Sequence, residues 1–184
     1  DLSPTTAPVL QELCLASTLC NDAVLVQTAG QWRVEGDPME GALLILGRKA
    51  GLDPARLNEQ RPRCDIVPFE SEHKFMATLH HDHAGQRTVY LKGAPETVFG
   101  RCRWQRGDAG DTPFEKNFWI DCLEDIAKQG QRALAIATLP ARPQQQTLTF
   151  DDLADHMTML GLVGIIDPPR DEAIAAVREC KSAG

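Results

Sequence analysis

The sequence lacks most of the features that mark special protein classes. Its longest mostly apolar stretch, Met157 to Ile166, spans 10 residues, whereas a membrane-spanning helix needs about 20. Residues 1–8 carry no basic region leading into an apolar core, so no secretory signal is expected. Basic residues are in deficit, with 19 Lys and Arg against 26 Asp and Glu and a net charge of −7. This argues against broad, sequence-blind nucleic-acid binding, which needs a basic face. A small basic pocket for one anion remains compatible with it. The cysteines, at 14, 20, 64, 102, 122 and 180, form no Cys-x-x-Cys, and no Asn-x-Ser/Thr occurs. Reduced, mostly buried thiols in a cytosolic setting are therefore expected, with no disulfide framework.

Several kinds of chemistry are also missing. There is no Walker lysine motif, no dinucleotide Gly fingerprint and no nucleophile-elbow Ser. No Asp-x-Asp pair exists, so a phosphatase of the haloacid dehalogenase type would lack its nucleophile. His80-His81-Asp82-His83 is the one metal-like cluster. Adjacent strand residues point to opposite faces, so a solvated hairpin tip is the expected reading.

What is present is a globular composition: 184 residues, 42% hydrophobic and 24% charged. This length allows one domain, or one with a fragment of a second. The apolar spacing predicts a helix over 8–20 and short strands over 23–27 and 31–34. Asp37-Pro38-Met39-Glu40 opens the strongest helix: Asp37 suits the N-cap, Pro38 the first position, and Glu40 a capping box. Gly51 should end it, and Asp53 should cap a short helix over 54–60. Strands are predicted over 65–69, 74–81 and 87–92, the last two as a hairpin turning at Gly85. A short helix over 95–99, a polar Gly-rich loop over 103–112 and a helix over 113–129 follow. A strand over 132–138, a polar loop over 140–149 and a buried strand over 157–166 complete the main body. Asp167-Pro168-Pro169 reads as a hinge before an amphipathic helix over 170–182. The expected fold class is α+β, an antiparallel β-sheet flanked by helices.

Six segments stand out together. They are Cys20-Asn21-Asp22, Gly36-Asp37-Pro38-Met39-Glu40-Gly41-Ala42-Leu43, Pro68-Phe69-Glu70-Ser71-Glu72-His73-Lys74-Phe75-Met76, Lys92-Gly93-Ala94-Pro95-Glu96, Gly130-Gln131-Arg132-Ala133-Leu134-Ala135 and Asp167-Pro168-Pro169-Arg170. In this order and spacing the chain resembles the nucleotide-binding domain of P-type cation-transporting ATPases, nearest to the class that includes calcium and sodium/potassium pumps. The resemblance covers nearly the whole chain. It implies that residues 1–166 form the nucleotide-binding domain. Residues 167–184 would be the hinge and first helix of the family's phosphorylation domain, whose Asp-Lys-Thr-Gly-Thr motif is absent here.

The resemblance also implies ATP, with Mg2+ carried by the nucleotide, as ligand. The phosphorylation and actuator domains of the same pump would be its partners, with no nucleic acid among them. The implied location is the cytoplasmic side of a plasma (inner) membrane protein, attached only through transmembrane helices absent from this chain. Phe69 should stack on adenine, and Lys92 should line the base pocket with Gly93, Ala94 and Met76. Lys74 and Arg132 should reach the phosphates. Glu40 should either contact the adenine amino group or fix the pocket, beside its capping role.

The residues support nucleotide binding on their own terms. Alternation places Lys74, Met76 and Thr78 on one strand face, and Thr88, Tyr90 and Lys92 on one face of the next. Both lysines are thus expected on the side of the hairpin away from the core. Phe69 offers a platform for a flat purine, Gly93 and Ala94 leave room for close approach, and Arg132 offers a planar fork for phosphate oxygens. A competing reading, a non-catalytic interaction module of the same fold, would have no use for these residues. Some positions depart from the family pattern. Met39 stands where Thr is common. Ser71 stands where animal calcium pumps have Arg. Ser71-Glu72-His73 is similar to the Ser-Glu-His-Pro of heavy-metal pumps, but Lys74 replaces the Pro.

Overall fold

The computed structural model describes residues 8–166 and 171–182. Helix α1 (Pro8–Leu19) leads into a hairpin of β1 (Val24–Thr28) and β2 (Gln31–Glu35). Its two-residue turn, Ala29-Gly30, has both residues at positive φ, which matches the twist of the strands it joins. Helix α2 (Pro38–Lys49) starts as its sequence predicts: the Asp37 carboxylate accepts from the Met39 and Glu40 amides. It stops where Gly51 takes φ 81° and the Leu52 amide reaches back to the Gly47 carbonyl at 3.0 Å. Asp53 caps α3 (Pro54–Gln60) in the same way.

The remaining strands are β3 (Arg63–Val67), β4 (Phe75–His81), β5 (Arg87–Gly93), β6 (Cys102–Gly107), β7 (Gly110–Pro113), β8 (Arg132–Pro140) and β9 (Met157–Ile165). With them come α4 (Pro95–Phe99), α5 (Lys116–Lys128) and α6 (Asp171–Ser182). Strands β3 to β9 form one seven-stranded sheet in the order β3-β4-β5-β8-β9-β6-β7. Neighbours run antiparallel except β6 and β9, which run parallel. The fold is α+β, as expected. The hinge expected at Asp167-Pro168-Pro169 lies outside the described residues.

Side-chain alternation gives the sheet two buried faces. Phe75, Ala77, Leu79, Val89, Leu91, Ala135, Ala137, Met157 and Met159 form one core with α4 and residues 148–153, and Trp119 and Leu123 of α5 pack against it. Met76, Tyr90, Ile136 and Leu160 form a second core under α1 and α3. The side of the hairpin that carries Lys92, expected to face away from the core, is therefore also covered.

Two further expectations are corrected. Residues 103–112 are not a loop but the β6–β7 hairpin. Its polar sequence hides strand character because it sits at the sheet edge, where Arg106 pairs with Asp111 across the hairpin and with Glu12 of α1. His80 is not at a solvated tip. It is 1% exposed, its Nδ1 lies 2.9 Å from the Arg61 carbonyl, and burial lowers its pKa to about 4. Burial likewise pushes the Cys14 and Cys20 thiols up, and Cys102 up to about 12, so these are packing residues that stay protonated.

Candidate functional site

Lys92 sits near the end of β5, opposite Met76 on β4 and Ile136 on β8. Its side chain is 8% exposed, and its Nζ lies 2.5 Å from Glu40 Oε1. An ammonium buried this deeply needs a partner, and Glu40 supplies it. The other carboxylate oxygen, Oε2, accepts from the Asp22 amide at 3.2 Å. Glu40 thus does not complete the expected capping box. Its carboxylate points away from the helix start, toward β5, because Lys92 is the stronger donor.

The residues around this pair are locked as well. Asn21 donates to the Glu40 carbonyl at 2.9 Å and accepts from the Ala23 amide at 2.9 Å. Arg63, at the start of β3, spreads its fork over the same turn, donating to Asp22 Oδ1 and to the Asn21 carbonyl, each at 2.7 Å. Sequence reasoning singled out Asn21 and Asp22 without a role and passed over Arg63. No local pattern ties Arg63 to a turn 41 residues earlier.

Lys74 is placed differently from its prediction. It has φ 56° and precedes β4, so it does not continue the alternation of that strand. Its ammonium is exposed and 3.8 Å from Glu96 Oε1. Its carbonyl accepts from the Ala94 amide at 2.9 Å, which joins the start of β4 to the end of β5. Lys74, Lys92, Gly93 and Ala94 therefore do meet at one end of the hairpin. The room left by Gly93 is already filled: a Cβ there would lie 2.6 Å from the Lys74 carbonyl oxygen and from Phe75 Cβ. Met76 is 1% exposed in the second core, which leaves almost no surface for a ligand.

Phe69 lies in the turn between β3 and β4 and is 60% exposed. It is the most open large aromatic among the described residues, and the core does not account for it. Arg132 starts β8 and is exposed. Alternation puts it on the face of Leu134 and Ile136, the face of Lys92, and among the described residues it has no ion pair. Two concavities lie elsewhere. One, of about 430 Å³, is at the opposite end of the β4–β5 hairpin beside Arg87, Thr88 and Pro140. Another, of about 410 Å³, lies between the β1–β2 hairpin and α2. The candidate residues combine exposed side chains at Phe69, Lys74 and Arg132 with one enclosed cation at Lys92.

Comparison with known proteins decides the family. The family model described as the P-type ATPase cytoplasmic domain N matches residues 9–172. The chain belongs to that family. It is 44% identical over 178 residues to the cation-transporting ATPase pma1 of Synechocystis, covering 96% of this chain and 19% of that protein. It is 35% identical to the sodium/potassium exporting P-type ATPase cta3 of Schizosaccharomyces pombe, covering 100% of this chain and 18% of that protein. It is 33% identical to the calcium-transporting ATPase of Bacillus subtilis, covering 95% and 20%. The domain thus spans about a fifth of the length of these relatives.

Proposed function

We propose that this N domain binds Mg-ATP for a cation-transporting pump and presents the γ-phosphate to an aspartate on a separate phosphorylation domain. The acceptor lies outside the domain, so transfer requires the two domains to close on each other. The N domain alone binds ATP or ADP weakly and hydrolyses neither. Its partners are the phosphorylation and actuator domains of the same pump, on the cytoplasmic side of its membrane. Helix α6 belongs to the phosphorylation domain, with Asp167-Pro168-Pro169 as the hinge.

The observation that carries this reading is the grouping at one end of the β4–β5 hairpin. A buried, carboxylate-paired Lys92 lies beside the backbone of Gly93 and Ala94, with the exposed Lys74 adjoining just before β4. In the proposed complex Phe69 stacks on the base and Lys92 borders it, while Lys74 and Arg132 take the phosphates. Glu40 holds Lys92 in place and so fixes that side of the site. Equilibrium dialysis of the domain against millimolar-scale ATP tests the reading. Saturable binding without phosphate release is expected. No binding would favour an interaction module that keeps the fold without nucleotide, and steady phosphate release would contradict the division of labour between domains.

A further inference from the structure

We propose that Arg63 is a positioning residue for the nucleotide site, acting through the Asn21-Asp22 turn and Glu40 on Lys92. This rests on the nucleotide reading above. The chain of contacts is continuous. Arg63 donates to Asp22 Oδ1 and to the Asn21 carbonyl, each at 2.7 Å. The Asp22 amide then holds Glu40 Oε2 at 3.2 Å, and Glu40 Oε1 holds Lys92 Nζ at 2.5 Å.

Geometry gives Arg63 this role and not merely a surface ion pair. The pairing of β3 with β4 shifts register between Arg63 and Asp65, a bulge that sets Arg63 apart from the regular ladder. One planar fork meets two acceptors on consecutive residues, which a lysine ammonium does not reproduce. With Arg63 in place, the turn cannot swing and the Asp22 amide stays aimed at Glu40. One oxygen of Glu40 is then committed to the backbone and the other to the lysine, so Lys92 keeps a single position. Without Arg63 the carboxylate can rotate, and Lys92 would lose its fixed direction while the fold stays intact.

The test uses Arg63→Lys in the domain, with Glu40→Gln and the double variant completing a cycle. In proton–nitrogen spectra of the nucleotide-free domain, the Lys92 ammonium signal, slowed in exchange by burial, should broaden or vanish in Arg63→Lys. ATP affinity should fall about fivefold in Arg63→Lys and no further when Arg63→Lys is added to Glu40→Gln, because residues in one network are not additive. An unchanged Lys92 signal with unchanged affinity would overturn the inference. So would additive losses in the double variant, or a lowered melting temperature at unchanged affinity. If the unaltered domain binds no ATP, the nucleotide reading itself fails and the inference with it. If it binds and Arg63→Lys binds equally well, only the inference fails.

Discussion

Two lysines of the proposed site are held in opposite ways. The Lys92 side chain is 8% exposed and meets a carboxylate at 2.5 Å, whereas that of Lys74 is 57% exposed and meets one at 3.8 Å. Around Lys92 a chain of residues is tied together: Glu40 to Asp22, Asn21 to Glu40, Arg63 to both residues of the turn. Around Lys74 and Phe69 the turn is held mainly by its own backbone, with the His73 and Lys74 amides reaching the Glu70 carbonyl. A buried cation must be pre-paired or it destabilises the fold, while an exposed one can wait for its ligand. The proposed site therefore combines a rigid wall with an open shelf, and the two should respond differently to change.

The largest effect should come from breaking the wall. Glu40→Ala strands the Lys92 ammonium and should cost about 3–5 kcal/mol of stability, read from urea unfolding. If it costs no more than a typical surface change, the wall is not rigid. Next comes acid. His80, on the same covered face, has its folded pKa lowered to about 4 from 6.5. Its unfolded form takes up a proton that the folded form refuses. Stability should be full above about pH 6.5 and fall as pH drops toward 4, by roughly 3 kcal/mol in all. A flat unfolding free energy across that window would contradict the burial of His80.

On the shelf the signs reverse. Phe69→Ala should leave stability within about 0.5 kcal/mol, because the ring is solvent-facing. It should nevertheless weaken ATP binding about tenfold if the ring stacks on the base. Lys74→Met should also change stability little, since exposed pairs are worth at most about 1 kcal/mol. It should weaken ATP binding about threefold and leave adenosine binding unchanged, as loss of one phosphate contact requires. Equal losses for both ligands would place Lys74 at the base and not at the phosphates.

Much of this was legible in the residues. Asp37-Pro38 and Gly51 marked both ends of α2, and two strand-like segments either side of a turn at Gly85 marked the β4–β5 hairpin. These signals are local, so they survive in one dimension. Three features were not. Lys74 breaks alternation through a left-handed backbone that a lysine does not announce. His80 looks polar in a string of polar residues, yet the Arg61 carbonyl and the ring of Tyr90 enclose it. Glu40 satisfies the spacing of a capping box, but a buried ammonium 52 residues away takes its carboxylate. In each case a contact from a distant segment outweighed the local preference. Of the residues expected to touch nucleotide, Met76 turned out to be core, for the same reason: its face of the sheet is roofed by helices.

The most direct measurement is an ATP titration of the domain followed by backbone amide shifts. The account predicts shifts centred on Phe69 to Lys74, Lys92 to Ala94 and Arg132, with α5 and the concavity beside Arg87 and Pro140 left unmoved. No shift at millimolar ATP, or shifts centred on that distant concavity, would contradict it.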